Sequence, residues 1–197
     1  DALWGLASSH RLRSEYNKAI PLYFDALEIS NELRDKEGQA DALSGLADAR
    51  RLRNEYNKAI PLYSEALKLH TDLGHRKGQA DALWGLADAH QHRGEWDEAI
   101  PRYSEALEIC TDLGDTHGQA NALWGLATAH RHRGESDKAI PLYSDALKIR
   151  ADLGDRKGQA DALCGLATVH RLRSEYHDAL SLYEEALGIF INIESLA

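Results

Sequence analysis

One phrase returns every 40 residues. Gly-Gln-Ala, then Asp or Asn, then Ala-Leu occurs at Gly38, Gly78, Gly118 and Gly158. Ala-Ile-Pro occurs at Ala19, Ala59, Ala99 and Ala139, and decays to Ala-Leu-Ser at Ala179. A fixed period of this length argues against a single closed core and for a stacked array, each unit resting on its neighbours. The units run 1–39, 40–79, 80–119, 120–159 and 160–197, read as one continuous array over residues 1–197. The third and fourth units differ at only about a dozen of 40 places, which points to recent copying.

Within a unit the apolar spacing is helical. In the third, Ala80, Leu83, Leu86, Ala87 and Ala89 or His90 fall at the i, i+3, i+4, i+7 positions of an amphipathic helix. Arg93-Gly94-Glu95 breaks the pattern, with Gly94 suited to the left-handed residue that closes a helix. A second helical run follows through Trp96, Ala99, Ile100, Tyr103, Ala106, Leu107, Ile109 and Leu113. Gly114 and Asp115 then end one helix and cap the next, the Asp115 carboxylate accepting from orphan N–H groups. Little in this pattern alternates with period two, so strands are not expected. Each unit is thus two antiparallel helices, A and B. Small alanines let the helix axes approach closely, and Leu43, Leu46, Tyr63, Leu67 and their equivalents fill the space between. Pro21, Pro61, Pro101 and Pro141 lie about one turn into helix B. Proline is cheap only in a first turn, so helix B is expected to start late enough to accommodate it, or to bend there.

Composition narrows the function. The chain carries 23 basic and 32 acidic residues, a net charge of −9. That balance disfavours a nucleic-acid partner, whose phosphates want a basic surface. No apolar run approaches the roughly 18–20 residues that span a bilayer, so no membrane partner is expected. The two cysteines, Cys110 and Cys164, sit at different places in their units and form no disulfide framework, which fits a reducing, cytoplasmic location. There is no methionine, and the first unit opens inside its first helical pattern, so a fragment of a longer or processed protein is expected.

These residues resemble the tetratricopeptide repeat. The second unit carries Leu43, Leu46-Ala47, Asn54-x-Tyr56, Ala59, Tyr63 and Ala66, and the third Leu83, Leu86-Ala87, Gly94-x-Trp96, Ala99, Tyr103 and Ala106. The Ala, Tyr, Ala trio holds in all five units. Three departures stand out. The period is 40, where the family's usual repeat is about 34. The familiar helix A glycine is alanine (Ala47, Ala87, Ala127), and the helix A aromatic is His or Arg (His10, Arg50, His90, His130, His170). The longer period resembles spindle-orientation adaptors of the Partner-of-Inscuteable type, and sensor arrays attached to signalling NTPases. The resemblance implies an all-α fold, a right-handed α-α superhelix or solenoid of about five helix-turn-helix repeats. Its inner wall would be made by the A helices.

That geometry would set like residues in rows along a concave groove. One row is Asp41, Asp81, Asn121 and Asp161; the next is Trp4, Ser44, Trp84, Trp124 and Cys164. A third is Ser8, Asp48, Asp88, Thr128 and Thr168; a fourth is Arg11, Arg51, Gln91, Arg131 and Arg171, beside Leu12, Leu52, His92, His132 and Leu172. An exposed indole is a preferred anchor for a partner side chain, though each could equally pack on the neighbouring unit. The arginines could grip carboxylates on a partner, or simply end their helices beside Glu15, Glu55, Glu95 and Glu135. The aspartate row could be a response to the helix dipole. Trp96 stands at the motif's helix B aromatic position and reads as structural. The lysine and asparagine clamp of chaperone-tail adaptors is absent, its places holding Gly5, Gly45, Gly85, Asp48 and Asp88.

Ten histidines raise the question of a metal. His90 and His92, like His130 and His132, are two apart on a helix and face different ways, so no metal or other cofactor is expected. No phosphate loop or nucleophile–base pair is present, so an enzyme is not expected. Gly5, Gly45, Gly85, Gly125 and Gly165 read as places of close helix approach. The function expected is a scaffold holding a peptide or helical protein segment in the groove. The alternatives are a sensor or autoinhibitory arm of a signalling NTPase, and a self-assembling solenoid. The apolar end at Phe190, Ile191, Ile193 and Leu196 predicts end-to-end self-association.

Overall fold

The computed structural model describes residues 2–194. Ten α-helices follow one another, with no strand among the described residues. The A helices are α1 (Ala2–Leu12), α3 (Lys36–Leu52), α5 (Arg76–His92), α7 (Thr116–His132) and α9 (Arg156–Leu172). The B helices are α2 (Tyr16–Leu33), α4 (Tyr56–Asp72), α6 (Trp96–Leu113), α8 (Ser136–Asp152) and α10 (Tyr176–Glu194). The chain divides into two compact units, Asp1–Ile109 and Cys110–Ala197, the division falling within α6.

Every turn from A to B is closed by one residue with positive φ: Ser14, Asn54, Gly94, Gly134 or Ser174. The following N–H reaches back to the carbonyl of His10, Arg50, His90, His130 or His170, satisfying a group the helix end would orphan. From B to A the same place is held by Arg34, Gly74, Gly114 and Gly154. Asp35 then caps α3, its Oδ1 accepting from the Gly38 N–H at 3.1 Å, and Asp115 and Asp155 cap α7 and α9 from Gly118 and Gly158 at 2.9 Å. His75 stands in the same place before α5 and makes no such bond.

The Gly-Gln-Ala phrase lies inside the first turn and a half of each A helix, so the borders at 39/40 and 79/80 fall within helices. Its glutamine ties the turn: Nε2 of Gln39, Gln79, Gln119 and Gln159 donates to the carbonyl of Ser30, His70, Cys110 and Arg150 at 3.2–3.3 Å. Its glycine makes room. A Cβ on Gly78 would run into the His70 ring, and one on Gly118 into Cys110.

The prolines do not delay helix B. Pro21 is the sixth residue of α2, and Pro61 and Pro141 stand likewise in α4 and α8. Pro21 and Asn17, whose carbonyl loses its partner, are both exposed, so water can take the vacant lone pair.

In the first unit Ala7, Ala19, Ile20, Tyr23, Leu46 and Ala49 form one buried cluster, and Ala47, Ala59, Tyr63 and Leu86 another. In the second, Ala127, Ala139, Tyr143, Leu166 and Val169 pack together, and Ala160, Leu163, Ala186 and Ile189 follow. Each leucine so placed contributes about 1.5–3 kcal/mol by leaving water. The tyrosines set the spacing between neighbouring repeats. Each lies against a glycine of the next A helix, where a Cβ on Gly45, Gly85 or Gly165 would come within 3.0 Å of the ring of Tyr23, Tyr63 or Tyr143. Leu196 lies outside the described residues.

Candidate functional site

The A helices carry the rows, and the two units differ in how they use them. In the first unit a polar ladder crosses three repeats. Arg11 Nε donates to Tyr23 Oη at 3.3 Å, and its Nη1 lies 3.6 Å from Asp48 Oδ2 on α3. Tyr63 Oη donates to Asp48 Oδ1 at 2.6 Å and accepts from Arg51 Nε at 3.0 Å. Arg51 Nη1 reaches on to Asp88 Oδ2 at 3.0 Å, and His92 Nε2 stands 3.6 Å from the other Asp88 oxygen. Burial works against the Arg51 charge, but Tyr63, Asp88 and Asp48 outweigh it and raise its pKa. Burial, and then the Asp48 charge, drive the Tyr63 hydroxyl well above its ordinary value, so it stays a donor. In the third repeat Gln91 replaces arginine, and the buried Tyr103 Oη and Gln91 Oε1 have no partner among the described residues.

In the second unit the acid of this ladder is threonine. Thr128 Oγ1 stands 2.9 Å from Tyr143 Oη, which also accepts from Arg131 Nε at 3.3 Å. Thr168 meets Tyr183 Oη at 2.9 Å, and Arg171 is exposed.

The tryptophans stand one turn earlier. Trp4 is 43% exposed and its Nε1 donates to the Asp41 carbonyl at 3.3 Å. Trp84 is half-buried, with the Arg51 guanidinium carbon 5.1 Å from its ring centroid. Trp124 is also half-buried, packed beside Ala127, Ala139 and Tyr143. The Nε1 atoms of Trp84 and Trp124 are buried and find no acceptor among the described residues. Ser44, at the same place, meets His70 Nε2 at 3.2 Å. Asp41, Asp81 and Asn121 are exposed, with Lys77 Nζ 3.0 Å from Asp81 and Arg150 Nη2 donating to Asn121 Oδ1 at 2.8 Å. Asp41 is the sixth residue of α3, beyond the first turn where a helix dipole is felt, and Asp35 holds the cap.

The glutamates at the A-to-B turns are not bridged by the arginine row. The residue before it does this: Nδ1 of His10, His90, His130 and His170 lies 2.5–2.7 Å from Oε2 of Glu15, Glu95, Glu135 and Glu175, and Arg50 takes Glu55 at 2.5 Å. These bonds come first in holding the Glu15, Glu55 and Glu135 carboxyls below their ordinary range. The five-residue spacing, repeated in each unit, was the sequence signal for this pairing.

Among the described residues one group could offer three ligand atoms to a metal: those of His170, Glu175 and Asp178 lie within 4.8 Å of one another. Arg173 Nε sits 2.9 Å from Glu175 Oε1, and the same His–Glu pair recurs where the third residue is Lys18 or Lys138. The group is therefore accounted for as a turn contact. No helix of the described residues is long and apolar enough to cross a membrane.

Comparison with known proteins agrees with this architecture. BtubC (BKLC) from P. vanneervenii superposes with a TM-score of 0.85 at 24% identity, over 96% of this chain and 78% of that one. A Podosopora anserina putative kinesin light chain with nearly identical TPR-like repeats gives 0.80 at 16% identity, over 98% and 95%. A Rap protein complexed with competence and sporulation factor gives 0.75 at 15%, over 99% and 64%. These likenesses show the fold, an all-α helical repeat. No curated protein matches the sequence. The sequence pattern described as Tetratricopeptide repeat matches residues 1–72, 78–152 and 120–192. The chain belongs to the tetratricopeptide repeat family.

Proposed function

We propose that the A-helix surface holds a protein segment, extended or helical, that offers apolar and basic side chains. One observation carries this reading: Trp84 keeps part of its indole open while the nearby Arg51, Asp48 and Asp88 are already engaged with one another, and in the second unit Trp124 is likewise only partly buried. The charges beside Trp84 therefore serve the array, and its indole with the exposed Asp41 is offered to a partner. A partly exposed tryptophan on a rigid helix loses little entropy on contact and is a typical energetic centre of an interface. The net charge of −9 favours a basic partner and speeds encounter. The Rap relative, solved with competence and sporulation factor, supports a protein or peptide as the class of ligand.

The test is an arrayed peptide library probed with the wild-type chain and with the Trp84→Ala/Trp124→Ala variant. Peptides that bind the wild type should lose at least tenfold in affinity, with the helical circular dichroism signal kept. Unchanged binding by the double variant would end the proposal.

A further inference from the structure

We propose that the A-helix surface of the second unit binds a side-chain carboxylate of the partner segment, at Arg131 and beside Trp124. This rests on the reading that the A-helix surface holds a protein segment, and it adds an acidic residue to what that segment carries. Arg51 shows how such an arginine is satisfied in the first unit. Its Nε donates to Tyr63 Oη and its Nη1 to Asp88 Oδ2 on the next A helix, with Asp48 Oδ1 3.8 Å from Nη2. Arg131 stands at the same place on α7, and its Nε donates to Tyr143 Oη in the same way at 3.3 Å. The acids are gone. Thr168 answers to Asp88, and Thr128 to Asp48. Both hydroxyls turn onto their own helices, Thr128 Oγ1 donating to the Trp124 carbonyl at 2.8 Å and Thr168 Oγ1 to the Cys164 carbonyl at 2.7 Å. Arg131 Nη2 stands 2.9 Å from His132 Nε2. Among the described residues no carboxylate pairs with this half-buried cation.

A guanidinium fixed through Nε keeps its planar fork in one orientation, and a carboxylate is the acceptor that fits a fork with two parallel bonds. His132 does not replace it: burial, and then the Arg131 charge, hold its pKa below the ordinary value, so at neutral pH the ring carries no charge of its own. Trp124, Thr128 and Arg131 follow at i, i+4 and i+7 on one face of α7, and Cys164 and Thr168 hold the matching places on α9. Trp124 and Cys164 are half-buried, so apolar surface flanks the cation and strengthens its attraction for an acid. The rows change sign as a whole. Among their described residues the first unit has Asp41, Asp48, Asp81 and Asp88 against Arg11 and Arg51, whereas the second has only Asp161 against Arg131 and Arg171. Charge complementarity therefore asks for an acidic residue on Arg131 and for basic ones on Asp41.

The test makes each peptide of the array twice, once with its Asp and Glu residues and once with Asn and Gln in their places, and titrates the binders in solution against the full chain. Peptides whose binding needs Trp124 should bind about tenfold more tightly in the acidic form, the value of one hydrogen-bonded charge. Arg131→Gln, which copies Gln91 of the third repeat, should abolish that preference. So should Thr168→Asp, which restores an acid where Asp88 stands and occupies the guanidinium from within. The second variant leaves α7 untouched, and it should keep both the helical circular dichroism signal and the binding of the amide peptides. Amidating the peptide C-terminus should change nothing. Equal binding of acidic and amide forms by the wild type overturns this proposal, while the earlier reading stands as long as Trp84→Ala/Trp124→Ala still loses the peptides. A preference that survives Arg131→Gln, or one that disappears on C-terminal amidation, overturns it too. A library without any binder ends both.

Discussion

Arg51 Nη1 meets Asp88 Oδ2 at 3.0 Å across 37 residues of sequence, joining the A helices of two successive repeats. The same guanidinium holds Tyr63 Oη through Nε, so one side chain ties a helix to its own hairpin partner and to the next repeat. Removing Asp88 leaves a largely buried cation short of an acceptor. Asp88→Ala should cost about 2 kcal/mol, the range for hydrogen bonds to charged groups. A double-mutant cycle with Arg51→Ala, read by urea unfolding, should show the two losses to be coupled; simple additivity would mean the pair does not act as one.

The tyrosine seat makes a second expectation sharp. Gly85→Ala places a methyl within 3.0 Å of the Tyr63 ring, where the neighbour is the body of an aromatic side chain. The overpacking should outweigh alanine's helix advantage of about 1 kcal/mol and lower stability by about 1–2 kcal/mol net. Thermal melts of the variant against wild type decide the sign. A stabilised Gly85→Ala would show that the joint tolerates a Cβ.

Two turn positions depart from their repeats and invite repair. Arg34 holds φ at 55°, where Gly74, Gly114 and Gly154 stand in the later turns. Arg34→Gly should gain about 1 kcal/mol by removing a left-handed Cβ. His75 leaves α5 without the side-chain cap that Asp35, Asp115 and Asp155 provide. His75→Asp should add about 1 kcal/mol, and its effect should sum with that of Arg34→Gly, since the two sites lie in different turns.

Much of this was legible in the sequence. The period, the A and B pairing, Gly94 and Gly114 as helix stops and Asp115 as a cap follow from spacing and from local chemistry. The expected late start of helix B failed because a rule about helix interiors does not know which face is wet, and Pro21 lies on an exposed one. The arginine row was placed beside glutamates of its own turn because sequence proximity suggests it. Its partners, Tyr63 and Asp88, are brought near only by the register of stacked helices. The glutamine of Gly-Gln-Ala could be seen to recur, but its bond to a carbonyl nine residues earlier needs the geometry of the whole turn. The indoles stand between the two readings that their sequence left open, each partly packed and partly open.

The pH response should expose His70. Burial lowers its pKa below the ordinary 6.5, with the nearby Asp41 only partly offsetting this. The unfolded chain therefore takes up the proton first. Its contribution to stability is complete above pH 6.5 and is lost as pH falls through the lower folded value. His70→Ser, which restores the residue of the first repeat at Ser30, should flatten that part of the stability curve in urea titrations between about pH 5 and 7. An unchanged slope would place the response in the other histidines.

The glycine that receives each tyrosine, and the glutamine that locks each turn, return at one interval along the chain. A gene that gained or lost whole 40-residue segments would still encode surfaces that fit, because every cut edge finds the same counterpart. Loss of a single residue in helix A would instead rotate that fit by about 100° and spoil it. Copy number is therefore the quantity this architecture leaves free to vary, and phase is the one it holds.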